Sequence, residues 1–147
     1  MKGAAIMALL AAGALVLSGC IGITGTPAGA PPFAGQPASP DPMSLSDTID
    51  VGTLRAVQSD PNVVVLDVRE QAEYDAGHIP GVRLIPLGQV AARLNEIPKD
   101  KTVIVTCRTG NRSAEAARIL REKGYTNIHN MAGGIVAWEK ARYPVER

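Results

Sequence analysis

The sequence predicts an α/β fold: a small, mostly parallel sheet with helices on both faces. Two observations predict it. The runs Asn62-Val-Val-Val-Leu66 and Thr102-Val-Ile-Val-Thr106 are apolar and β-branched without alternation, the pattern of strands buried on both faces. Segments with helical spacing lie between and after them, so strand and helix alternate along the chain. In chain order, Thr48-Ile-Asp-Val51 reads as an edge strand, 62–66 as a central strand and Val82-Arg-Leu-Ile85 as a weaker one. Leu87, Val90, Ala91 and Leu94 recur at i, i+3, i+4 and i+7, one apolar stripe that predicts a helix. After the second central strand, Ser113 to Lys123 predicts another helix. Ala116, Ile119 and Leu120 share one side of it, Lys123 lies in its last turn and Gly124 follows as C′. Thr126-Asn-Ile-His129 reads as a further strand, and Gly134 to Arg142 as a closing helix with Trp138 as its core anchor.

That fold takes up only the last two thirds of the 147 residues. After Lys2 the next charged side chain is Asp41, and Gly3 to Leu17 carries no polar side chain. As a helix at about 1.5 Å per residue those 15 residues reach about 22 Å, short of the roughly 30 Å hydrocarbon core. A basic start, a short apolar run and small residues after it form the pattern of a secretory signal. Its end, Leu17-Ser18-Gly19-Cys20, resembles the lipobox of bacterial lipoproteins. The resemblance implies a diacylglycerated Cys20 that becomes the N-terminus after cleavage. Two acyl chains suffice for stable anchoring. Residues 20–42 hold six of the eleven prolines, with Gly, Ala, Ser and Thr in most gaps, and read as a disordered tether. The expected organisation is therefore a signal peptide at 1–19, a lipidated tether at 20–42 and one domain at 43–147. The expected location is the cell envelope, on a membrane and facing the periplasm or exterior. Ile21 rather than Asp after the lipidated cysteine would permit transport to an outer membrane.

Charge and composition exclude other classes. A net charge of +1 with no run of Lys or Arg argues against a nucleic-acid binder, and 3% aromatics give no stacking platform for single strands. Two cysteines cannot build a disulfide scaffold. With only His78 and His129 present, no histidine pair is spaced for a metal. No cofactor is called for.

The chemistry falls at the carboxyl ends of the central strands, where open α/β sheets place their ligands. Asp67 follows one strand and Cys107 the other. Cys107 leads into Arg108-Thr-Gly-Asn-Arg112-Ser113 and then a helix. Gly110 lets such a loop turn successive backbone amides inward, with the helix N-terminus behind them. Amides, dipole and two arginines all favour a thiolate, so Cys107 reads as a nucleophile with a depressed pKa.

Asp67-Val-Arg69, Glu73, Gly77-His78-Ile-Pro-Gly81, Cys107-Arg-Thr-Gly-Asn-Arg-Ser113 and Gly133-Gly134-Ile-Val-Ala-Trp138 together resemble the single-domain rhodanese family of sulfurtransferases. The resemblance runs from about Leu45 to Tyr143. It implies a five-stranded parallel sheet flanked by helices, with Cys107 as the sulfur-accepting nucleophile. Arg108, Thr109, Gly110, Asn111 and Arg112 would bind the anionic donor and the persulfide through backbone amides, the two arginine side chains adding charge. Ser113, Asp67 and Arg69 would support the loop, the latter two with Glu73 as a structural charge network. His78, among turn-forming neighbours, reads as a hydrogen-bonding group.

Three readings stay open. In the first, Cys107 takes the outer sulfur of an anion such as thiosulfate and passes it to cyanide or a thiol. Basic loop residues favour that donor over mercaptopyruvate within the family. The second is a Cys-dependent phosphatase, but four residues separate Cys107 from Arg112, where the phosphatase cradle resembling this fold has five. The shorter ring is tight for a phosphate with three equatorial oxygens. The third is a non-enzymatic module that relays sulfur to a partner or simply binds it.

Overall fold

The computed structural model describes residues 40–147. The signal peptide, Cys20 and most of the tether assigned from sequence lie outside the described residues. Five strands form the sheet: β1 (Thr48–Ile49), β2 (Val63–Asp67), β3 (Arg83–Leu84), β4 (Thr102–Thr106) and β5 (Ile128–Met131). Their order is β1-β5-β4-β2-β3 and every pair is parallel. β2 and β4 pair along their whole length, from Val63 beside Thr102 to Asp67 beside Thr106. Asp67 and the residue after Thr106 therefore emerge side by side.

Burial on two faces explains the unbroken apolar runs. Leu66, Val103 and Val105 point into a core beneath α3 (Asn111–Glu122), with Ala116, Ala117, Leu120 and Ile128. Val63, Val65 and Ile104 point the other way, toward α1 (Val51–Val57) and α4 (Gly134–Lys140), with Leu54, Met131 and Trp138. Neighbouring residues of one strand thus serve opposite cores. Trp138 is fully buried, and its indole donates to the Pro144 carbonyl at 2.8 Å. Gly124 takes φ +83°, as a C′ residue should.

The structure departs from the sequence expectation at four places. The first strand stops at Ile49 because the Asp50 carboxylate accepts from the Thr53 amide at 2.7 Å and starts α1, a helix the reading missed. It also missed α2 (Gln71–Ala76), a six-residue helix with no buried residue and hence no apolar stripe. The stripe from Leu87 to Leu94 is two 3-10 turns, Leu87–Gln89 and Leu94–Glu96, rather than an α-helix. Pro86 and Pro98 bracket that segment and Gly88 weakens it, so it closes with i to i−3 bonds such as Ile97 N to Leu94 O at 3.1 Å. Val90 is nonetheless buried, with Leu87 and Leu94 against the same core. The last strand lies two residues further on than its apolar signal indicated.

Candidate active site

Cys107 directly follows β4 with only 1% of its surface exposed, and the chain then turns into α3. The turn is closed by Gly110 at φ +102°, which precedes the first helical residue. This conformation aims the Gly110 amide at the sulfur, with N to Sγ at 3.1 Å. The Ser113 hydroxyl lies 3.4 Å from Sγ, 3.1 Å from the Gly110 carbonyl and 2.6 Å from Asn130 Oδ1. Burial opposes ionisation of the thiol, but the Ser113 hydroxyl and the amides of Ser113, Gly110 and Thr109 outweigh it. Cys107 is held below the ordinary thiol range. Among the described residues no acceptor is bonded to the amides of Asn111 or Arg112. These are the orphan donors of a turn entering a helix, and an anion can take them.

The other assigned residues divide into two charge pairs. Asp67 and Arg69 are buried at 1% and 4% exposure and meet at 2.6 Å. Arg69 Nε donates to both Asp67 oxygens, Nη2 also reaches the Gly77 carbonyl at 2.9 Å, and Nη1 the Glu73 carbonyl at 3.2 Å. A fully hydrogen-bonded pair of this kind ties α2 to the end of β2. Arg112 is held by Glu73 through two bonds of 2.7 Å, and this pairing brings the Glu73 carboxyl down to about 2. That pairing braces the start of α3 against α2, and the guanidinium, held charged first by Glu73, also feels the charge of Cys107. Arg108 is exposed and makes no side-chain hydrogen bond or ion pair among the described residues. It lines a cleft of about 270 Å³ with Arg69, Glu73, Val136 and Glu139. His78 donates from Nδ1 to the Tyr74 carbonyl at 3.0 Å, and its ring stacks on Tyr74. It takes no part in the loop.

Two contributors to the site escaped the sequence reading. The first is the N-terminus of α4, which donates from Ile135 to the Cys107 carbonyl at 2.8 Å and from Val136 to the Arg108 carbonyl at 3.2 Å. Gly134, at φ +55°, makes the approach feasible, because a Cβ there would sit 2.4 Å from the Cys107 carbonyl oxygen. The paired glycines before Trp138 were the available signal. The second is Asn130, whose position in a strand carried no signal.

The profile of the rhodanese-like domain family matches residues 50–141. YrkF of Bacillus subtilis is 36% identical over 104 residues, spanning 71% of this chain but only 56% of that protein. The thiosulfate sulfurtransferase GlpE of Pseudoalteromonas translucida is 38% identical over 80 residues, spanning 54% of this chain and 76% of the relative. Among solved structures, a rhodanese-related protein of Thermoplasma volcanium superposes with a TM-score of 0.63 at 34% identity, covering 69% of this chain and 98% of that one.

Proposed function

The chain belongs to the rhodanese-like domain family, and from that membership we propose that it is a sulfurtransferase working through a persulfide on Cys107. The proposed donor is an anion with a sulfane sulfur, thiosulfate first, and the proposed acceptor is a thiol or cyanide. The Cys107 thiolate attacks the outer sulfur of thiosulfate. The new S–S bond forms as the old one breaks, and sulfite leaves with the electron pair. The acceptor anion then attacks the outer persulfide sulfur and returns Cys107 as the thiolate. The observation that carries this reading is a buried sulfur whose ionisation is favoured by hydrogen bonds, with unused amides at Asn111 and Arg112 beside it. The unpartnered Arg108 supports a doubly charged donor, as does the likeness to a thiosulfate sulfurtransferase.

Phosphate hydrolysis is less well supported. Arg112 is paired with Glu73 and Asp67 with Arg69, and only four residues separate Cys107 from Arg112, a ring tight for phosphate. The test is thiocyanate formation from thiosulfate and cyanide by the full-length protein. Cys107→Ser should abolish it without changing the circular dichroism spectrum, since a hydroxyl forms no persulfide. Retained activity in that variant would overturn the assignment.

The same reading extends to the N-terminal segment, with Cys20 as a lipid anchor and residues 20–42 as the tether holding the domain at an envelope membrane. Full-length protein made in a bacterium should partition into detergent. Partitioning unchanged by Cys20→Ala would rule the anchor out.

A further inference from the structure

The Ser113 hydroxyl has one hydrogen and three neighbours that can take it: Cys107 Sγ at 3.4 Å, the Gly110 carbonyl at 3.1 Å and Asn130 Oδ1 at 2.6 Å. The Gly110 carbonyl already accepts from the Ala114 amide at 3.1 Å. With the Asn130 oxygen facing it, the hydroxyl gives its hydrogen to the amide and leaves the sulfur without it. With the amide turned over, Nδ2 donates into a hydroxyl lone pair and the hydrogen is released to the sulfur.

Nothing else fixes that choice. The outward atom of the Asn130 amide makes no hydrogen bond to the described residues, and the side chain is only half-buried, so water can serve either end. The backbone, by contrast, is fixed. Asn130 lies between Thr48 of β1 and Val105 of β4, and its amide donates to the Asp47 carbonyl at 2.8 Å. A rigid strand thus presents one rotatable amide to the one side-chain hydroxyl that, among the described residues, touches the sulfur.

We propose that Asn130 is a positioning residue for the nucleophile: its amide turns with the charge on sulfur and directs the Ser113 hydroxyl to Cys107 when that sulfur is ionised. The role rests on Cys107 being the nucleophile, but it is tested on ionisation rather than on sulfur transfer. Failure of one is therefore distinguishable from failure of the other. The charged groups around the sulfur are Arg112 on α3 with Glu73 on α2, Arg108 in the loop, and the Asp67–Arg69 pair at the end of β2. The variants below leave all of them in place.

The experiment follows alkylation of the full-length protein by iodoacetamide against pH, read by mass spectrometry on the peptide bearing Cys107. That readout separates Cys107 from Cys20. Asn130→Asp presents only acceptors at neutral pH and keeps the hydroxyl hydrogen to itself. Its midpoint should rise by about one pH unit, a tenfold loss of thiolate below the midpoint. On a Ser113→Ala background the same substitution should move the midpoint by less than about a third of that. An equal rise in both backgrounds would mean a through-space charge effect and overturn the proposal, as would no rise with Ser113 intact. Asn130→Leu, of similar size, neither takes the hydrogen nor steers it away from the Gly110 carbonyl, so its midpoint should rise by less than half as much as in the Asp variant. A rise matching the Asp variant would assign the effect to packing and overturn the proposal too. A second measurement needs no change at position 130. The Asn130 side-chain amide resonances should follow the Cys107 titration in the wild type and lose that response in Ser113→Ala. A flat response in the wild type refutes the role.

Discussion

Gly134→Ala should be among the most damaging single-atom changes available in this domain. The added Cβ would lie 2.4 Å from the Cys107 carbonyl oxygen and 2.5 Å from both the carbonyl carbon and oxygen of Arg108. All three are backbone atoms at the head of the active loop, so no side chain can swing aside. Holding an alanine at φ +55° costs about 1 kcal/mol by itself. If α4 withdraws to relieve the contact, it gives up the bonds from Ile135 to Cys107 and from Val136 to Arg108, about 1 kcal/mol each. The loss should total about 3–4 kcal/mol, or roughly 12–30 °C in Tm for a domain of this size. Urea and thermal unfolding followed by circular dichroism measure it. Gly88→Ala is the control, because its Cβ meets nothing within 4 Å and its φ is not in the left-handed region; it should stay within about 0.5 kcal/mol of wild type. A loss below about 1 kcal/mol in Gly134→Ala with unimpaired sulfur transfer would refute the claim that α4 must bear directly on the loop.

The two arginines of the loop should separate cleanly. Arg108→Ala, which removes no protein contact, should leave Tm unchanged and weaken donor use in kcat/KM by about 1–3 kcal/mol, whereas Arg112→Ala should lower Tm as well as activity. Equal loss of stability in both would mean that Arg108 is structural. Glu73→Gln should show a pH signature. Pairing with Arg112 holds the native carboxyl at about 2, below its ordinary 4.5. Its contribution is therefore complete above about pH 4.5 and disappears as pH falls toward 2. The pair is about one-third open to water, which cuts its worth to about 1–2 kcal/mol. Wild type should exceed Glu73→Gln by that amount at pH 7, and urea midpoints of the two should converge on acidification. A gap independent of pH would show that the carboxylate charge is not what matters.

The sequence determined the parts of this protein whose signal is local. Strands β2 and β4 were legible because they are buried on both faces, so their interiors, 63–66 and 103–105, carry no polar residue at either phase. The loop from Cys107 to Ser113 was legible because a thiolate cradle needs a glycine and amides in unbroken succession. Helix α2 was invisible because only Tyr74 packs against the core; the rest is held by Arg69, by Arg112 and by its own cap, none of which leaves a periodic pattern. Only the tertiary structure decided what the polar residues face. Arg112 is 39 residues from Glu73, and no spacing rule reveals that the two meet. Gly134 and Asn130 reach the loop only because α4 and β5 are brought against the end of β4. Chain connectivity puts a side chain on a helix or strand, but its partner is chosen by the sheet order β1-β5-β4-β2-β3, and that order is a property of the packed whole.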